Sequence, residues 1–372
     1  MTRPLLAYAD GPGSPRSAPH VVAAAVGVRD PEVLLGWTLE DRPWLADPDL
    51  RGSTVVAGYA LRDAVADGRL HYLPVRLSSM PRLLDRMRPD VAVVAGVRRG
   101  RGYAFAGSVG WGRSLTKAAA SVVVEIADDA IDLGGPPIDV PIAVVLDAPP
   151  AGAAVRSRGA DDVDRAVARH VLSVVPEAPT IQLGPGGIAD AIIECLDRPV
   201  RVWTGLLTDE VARLAERGLL VGAATAAYVW GDRAVRDLVG AGRLRLRGIE
   251  QTHDLGCLAR IERFVAANTA LQVGLDGSVN VERVGGRVVA GVGGHADFAA
   301  GAARSRGGVS IIALRSTTRA GGSTIVERVE VTSTPRCDID VVVTEHGVAD
   351  LRGVDDGERA QRIAAIAAPE HR

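Results

Sequence analysis

The sequence predicts an α/β protein built from two similar, open, mostly parallel sheets. Three observations predict it. Short runs rich in Val, Ile, Leu and Ala recur along the chain, each followed by a glycine-containing turn and a stretch of helical period. The runs are near-continuous rather than alternating, as expected of strands covered on both faces. The length, 372 residues, suits two domains of ordinary size.

The expected strands of the first half are 53–57, 70–76, 90–95, 121–126 and 140–146. Those of the second half are 180–183, 200–203, 287–292, 309–314 and 338–344. Alternation with helices favours parallel pairing. Between the halves lies Asp147-Ala-Pro-Pro-Ala-Gly-Ala-Ala, then Arg156-Ser-Arg-Gly. Its Pro, Gly and polar content marks a linker. A helix is expected over 161–175, with Val163, Ala166, Val167, His170, Val171 and Val174 on one stripe. The expected domains are therefore 1–155 and 156–372.

Composition narrows the function. The chain is 47% hydrophobic, ample for buried cores, and carries a formal net charge of −2. No bulk basicity points to nucleic acid or a membrane surface. Lys117 is the only lysine. Cys195, Cys257 and Cys337 form neither a CxxC pair nor a disulfide framework, so no metal is expected. The opening residues show no long apolar leader segment, and the apolar run 21–28 is far below membrane-spanning length. A soluble cytoplasmic protein is the expectation by elimination.

Three loops carry residue types suited to chemistry. In Thr180-Ile-Gln-Leu-Gly-Pro-Gly-Gly-Ile188 a strand runs into Gly184, Pro185, Gly186 and Gly187, and a helix follows. Glycines let a backbone approach a ligand closely, and N–H groups at a helix start favour an anion or a developing oxyanion. The spacing is not the GxGxxG dinucleotide fingerprint. The plainer alternative is a tight strand–helix turn. The second loop, Ala290-Gly-Val-Gly-Gly-His-Ala-Asp-Phe298, repeats the pattern with Gly291, Gly293 and Gly294. His295 there is either a base or a hydrogen-bonded loop residue. In the third, Glu345 and His346 end a strand; a carboxylate holding a neighbouring loop is the favoured reading over an acid–base pair. The basic run Arg98-Arg-Gly-Arg101 suits a solvated loop, and aromatics at 3% of the chain make an RNA surface a poor fit.

Taken together these loops resemble the acetyl-CoA hydrolase/transferase family, which includes butyrate, 4-hydroxybutyrate and succinyl–acetate CoA-transferases. The family's "QLGIGGIPDAV" is matched by Gln182-Leu-Gly-Pro-Gly-Gly-Ile-Ala-Asp-Ala-Ile192. Its "SGVGGQVDF" is matched by Ala290–Phe298, and its "GGKSIIALPSTA" by Gly307-Gly-Val-Ser-Ile-Ile-Ala-Leu-Arg-Ser-Thr-Thr318. Its "VTTPR…VVTEYGVADLRG" is matched by Thr332-Ser-Thr-Pro-Arg336 and Val343–Gly353. The first half matches more loosely, through 62–74 and 90–94, and the family's opening strand–helix segments look shortened or missing.

The resemblance implies two open α/β domains of the CoA-transferase type with coenzyme A as substrate. It implies CoA contacts at Gly184, Pro185, Gly186, Gly187, Ile188, Leu271, Ala290, Gly291, Gly293, Gly294 and Arg319. It also implies a glutamate nucleophile that becomes a glutamyl-CoA thioester. The family's "GIHTEMISDGV" segment corresponds to Val200-Arg-Val-Trp-Thr-Gly-Leu-Leu-Thr-Asp-Glu-Val211, with Trp203 at the His and Gly205 at the nucleophile. Glu210 lies where a helix begins, with Thr208 as its cap. His295 replaces the usual Gln, and Arg315 replaces a proline. The expected activity is therefore processing of an acyl-CoA or related pantetheine thioester by direct attack of water or a substrate nucleophile. His295 is the candidate base, with Gly186 and Gly294 N–H groups on the oxyanion. A non-catalytic CoA-binding homologue and an ordinary transferase with a relocated nucleophile are the alternatives. The expected partner is the thioester; nucleic acid and membrane are not expected, and a homo-oligomer is left open.

Overall fold

A computed structural model describes residues 3–151 and 159–372. Much of the expected linker, residues 152–158, lies outside the described residues. The chain forms two compact units. One comprises the described residues before the linker together with Thr225–Thr252 and Val288–Gly293; the other comprises the described residues from the linker to Ala224, His253–Arg287 and Gly294–Arg372.

In the first unit the sheet runs Leu70–Tyr72, Gly52–Thr54, Glu32–Leu35, Leu5–Tyr8, Val91–Arg99, Ser121–Ile126, Val144–Asp147, every neighbour parallel. Gly102–Phe105 folds back antiparallel on Val91–Arg99. The chain starts in the middle of this sheet, builds outward on one side, then crosses to build the other. The opening segment is thus a central strand, Leu5–Tyr8, followed by the helix Pro19–Val26. No strand was expected before residue 53. Leu6, Tyr8, Val33, Leu35, Val91 and Val93 are buried in the core beside it.

In the second unit Arg201–Thr208, Thr180–Leu183, Phe264–Asn268, Val309–Ala313 and Val341–Thr344 are successive parallel neighbours, and Gly347–Asp350 closes the edge antiparallel. The Val, Ile and Ala runs expected to be covered on both faces are so: 309–313 and 341–344 are buried at every position. Phe264–Asn268 is a central strand that the sequence reading passed over.

The strand expected over 287–292 is a correction. Only Arg287–Val288 is strand, in a two-stranded ladder outside the main sheets. The second glycine loop is therefore not the end of a core strand. The helix expected over 161–175 spans Asp162–Val174, and Asp161 caps it with a reciprocal Asp161–Asp164 capping box. Its buried face is Asp164, Val167, Ala168 and Val171, whereas Val163 is exposed. The stripe turns because Asp164, not a valine, is drawn inside by a charge partner described below. No helix among the described residues is long and apolar enough to cross a membrane.

Candidate active site

The first glycine loop opens a pocket of about 350 Å³ in the second unit. The strand Thr180–Leu183 runs into Gly184, and the helix Gly187–Cys195 starts three residues later with Gly186 as its cap. Gly186 has φ +127°, a conformation that side chains with a Cβ rarely adopt. A Cβ at Gly184 or Gly186 would meet no other atom within 4 Å, so both glycines leave the loop backbone open. Pro185, Gly186, Gly187 and Ile188 line the pocket from this side. Leu271, with Thr269 and Ala270, lines another wall, and Thr317, Thr318 and Arg319 a third. Arg319 has no ion-pair or hydrogen-bond partner among the described residues. A cation and helix-start N–H groups facing one pocket suit a phosphate-bearing ligand.

Arg315, also in the wall, is fully engaged. Its Nη2 donates to Asp161 at 2.6 Å and to Asp164 at 2.8 Å, and Nε donates to Asp164 at 3.1 Å. Asp164 is 0% exposed, so the guanidinium is what allows a charge to sit there. The next residue, Ser316, donates through its backbone N and its hydroxyl to the Glu345 carboxylate, at 2.9 and 2.7 Å. Glu345 thus holds the loop that carries Thr317–Arg319, the structural role favoured for it.

The second glycine loop is placed differently. Within the first unit, Ala290 O accepts from Ala57 N and Gly293 O accepts from Leu77 N at 3.0 Å. A Cβ on Gly291 would lie 2.4 Å from Val55 O, so this glycine serves a close backbone approach. Ala290, Gly291 and Gly293 do not line the pocket of the second unit, nor do Gly294 and His295. Gly294 caps the helix His295–Arg304, which lies in the second unit. His295 Nδ1 is 2.8 Å from Thr334 Oγ1. Nε2 is out of solvent contact and has no hydrogen-bond partner, although the residue as a whole is half-buried. Burial lowers its pKa to about 4, opposed in part by the Thr269 backbone.

Gly205 is buried within the strand Arg201–Thr208. Thr208 caps the helix Asp209–Glu216, and Glu210 pairs with Arg213 at 2.9 Å in its first turn. Sequence reasoning missed His253, a buried residue whose ring packs on Phe298 at 4.6 Å between centroids. Burial lowers its pKa to about 3. It also missed the pocket-lining Asp164, Thr269, Ala270 and Thr317; the Thr317-Thr318-Arg319 run was the signal available for part of that set. In the basic run, Arg99 is paired with Asp132 and Arg98 donates to the Tyr103 hydroxyl at 3.1 Å.

Two α/β units with mostly parallel sheets, one holding a glycine-loop pocket lined by Arg319, define a protein of the CoA-transferase architecture. Residues 237–372 match the family model for the acetyl-CoA hydrolase/transferase C-terminal domain. The chain is 28% identical over 345 residues to the 4-hydroxybutyrate coenzyme A transferase of Clostridium kluyveri, covering 87% of this chain and 80% of that protein. It is 27% identical over 425 residues to an acetyl-CoA hydrolase of Eremothecium gossypii, covering 95% and 81%. The structure of a 4-hydroxybutyrate CoA-transferase from Porphyromonas gingivalis superposes with a TM-score of 0.77 at 22% identity, over 99% of this chain and 90% of that one. The C-terminal part of this chain is thus similar to the acetyl-CoA hydrolase/transferase family, and the longer relatives extend the likeness over most of the rest.

Proposed function

We propose that the chain binds coenzyme A thioesters in the pocket of the second unit and processes them by direct attack of water, or of a nucleophile within the substrate, with no glutamyl-CoA intermediate. The observation that carries this reading is Gly205. It stands where the resemblance implies the nucleophilic glutamate, and it is a buried strand residue with no side chain. Glu210, the nearest glutamate after it in sequence, is committed to its helix start and to Arg213.

Binding is supported by the pocket itself. Arg319 would take a phosphate, the N–H groups at the start of the helix Gly187–Cys195 a second negative charge, and Leu271 with Ile188 the apolar stretch of the ligand. In this reading the acyl end of the ligand reaches past the pocket lining towards Gly294 and His295, and the N–H groups of Gly186 and Gly294 stabilise the oxyanion. His295 takes the proton of the attacking group. Its lowered pKa keeps the ring neutral at pH 7, and Nε2 has no competing partner.

Incubation with a set of acyl-CoAs, with and without acetate, tests the reading. Release of free CoA without acetate is the expected result, with no CoA adduct in the intact mass of the protein. CoA exchange that requires acetate, with a borohydride-sensitive adduct on a carboxylate, would restore the transferase mechanism. CoA binding without turnover would leave a non-catalytic homologue.

A further inference from the structure

Two glycines of the second unit owe their identity to space rather than to backbone conformation. Gly205 sits within a strand, where glycine is a poor choice because it packs nothing. Gly294 has φ −90°. Neither backbone is in the left-handed region, so any residue could adopt it. A Cβ on Gly205 would stand 3.2 Å from Phe298 Cε2 and 3.3 Å from His253 Nε2. A Cβ on Gly294 would stand 2.5 Å from both Cδ2 and Nε2 of the same imidazole, and 3.0 Å from Phe298 Cε2. One ring therefore fills the side-chain room of both positions. It has little freedom to yield: His253 is 1% exposed and its ring packs tilted on Phe298, which is itself buried against Leu258, Phe264 and Ala302.

We infer that His253 is a determinant of the reaction type: its imidazole occupies the volume a carboxylate-bearing side chain at position 205 would need, so Gly205 and His253 together keep the site without a protein nucleophile. The inference rests on the reading of Gly205 given above. Given room, a glutamate at 205 would attack the thioester carbon through a carboxylate oxygen and expel the CoA thiolate, leaving an acyl-glutamyl anhydride. The thiolate would then attack the glutamyl carbonyl. The products are an enzyme thioester and the acyl group as a free carboxylate, so no outside reagent is needed. With His253 in place, the first carbon of that side chain is already crowded from two sides.

The test is a double-mutant cycle read by thermal unfolding of the full chain. Gly205→Ala is expected to lower Tm by roughly 2–8 °C, the range for overpacking a site of this kind. In a His253→Ala background the same substitution is expected to lower it by less than half as much. Equal decrements in the two backgrounds would overturn the pairing, whatever the chemistry. His253→Ser provides the background if the alanine variant does not fold. As the chemical arm, Gly205→Glu with His253→Ala is incubated with an acyl-CoA and weighed intact. A CoA adduct is expected in the double variant and not in Gly205→Glu alone; an equal adduct in the single variant would overturn the role of His253. An adduct on the unsubstituted protein would instead sink the non-covalent reading and leave the cycle to decide the pairing.

Discussion

The Tyr228 hydroxyl donates to Asp10 Oδ2 at 2.9 Å, and both residues are buried in the first unit. Asp10 follows the central strand Leu5–Tyr8, and its other oxygen faces the Trp111 N–H at 3.4 Å. Two donors do not replace water around a carboxylate. Burial pushes its pKa up to about 7, with the Tyr228 hydrogen bond pulling the other way.

That raised pKa has a stability consequence with a definite sign. Below about pH 4 Asp10 is protonated in both folded and unfolded chains. Between the ordinary carboxylate range and pH 7 the folded chain holds a proton that the unfolded chain has lost, so stability falls as pH rises through this window. The loss is at most on the order of 4 kcal/mol by pH 7. Asp10→Asn keeps an acceptor for Tyr228 and removes the titration. The difference in unfolding free energy between variant and parent should move in the variant's favour from pH 4 to pH 7, measured by denaturant titration at each pH. A difference that stays flat would show that Asp10 titrates normally.

Arg315 is predicted to be essential to the fold of the pocket wall. Removing it takes the guanidinium away from the buried Asp164. Arg315→Ala should cost ~2–4 kcal/mol, the lower part reflecting the partial exposure of the guanidinium. Adding Asp164→Ala should recover a good part of the loss. If the double variant is as unstable as the sum of the singles, the ion pair is not what holds the wall.

Arg319 offers the pocket a cation that has no partner among the described residues. Arg319→Ala should weaken CoA binding by about 5- to 30-fold in calorimetry at low salt, the worth of one charge-assisted contact to phosphate. The deficit should shrink as salt rises. An unchanged Kd at low salt would place the phosphates elsewhere.

His295→Gln should lower thioester turnover by about a hundredfold or more while CoA affinity stays nearly the same. The ordinary histidine range near pH 6–7 is not where the ascending limb of the pH–rate profile should fall. Burial has moved the group down to about 4, so the base is already deprotonated at neutral pH and the limb should lie near there. Full activity in the variant, with an unaltered profile, would reduce His295 to a partner of Thr334.

Local signals made part of this structure legible. Ser121–Ile126 and Thr180–Leu183 follow the sequence reading residue for residue, because a Val run in the first and a sharp glycine turn after the second leave little choice. The helix after the linker was legible from its apolar stripe, and its start falls where Asp161 and Asp164 cap it. Leu5–Tyr8 and Phe264–Asn268 carry no such mark. Each is a short run whose strand character comes from pairing on both sides. The same division holds at the site. The first glycine loop and Arg319 share one pocket and were visible as motifs. His253 was not, since its importance lies in two glycines remote from it in sequence on either side. Ala290–Gly293 looked like the first loop, yet Gly291 answers to the Val55 backbone instead.

The contacts around His253 also impose an order on change. While the imidazole is present, any substitution at 205 or 294 meets it at the first side-chain carbon. Position 253 must shrink before either neighbour can grow, whereas loss of the ring needs no prior step. A randomised library at these three positions should therefore yield larger residues at 205 only among clones already altered at 253. The present combination is one that drift can enter from several directions and leave by a single door.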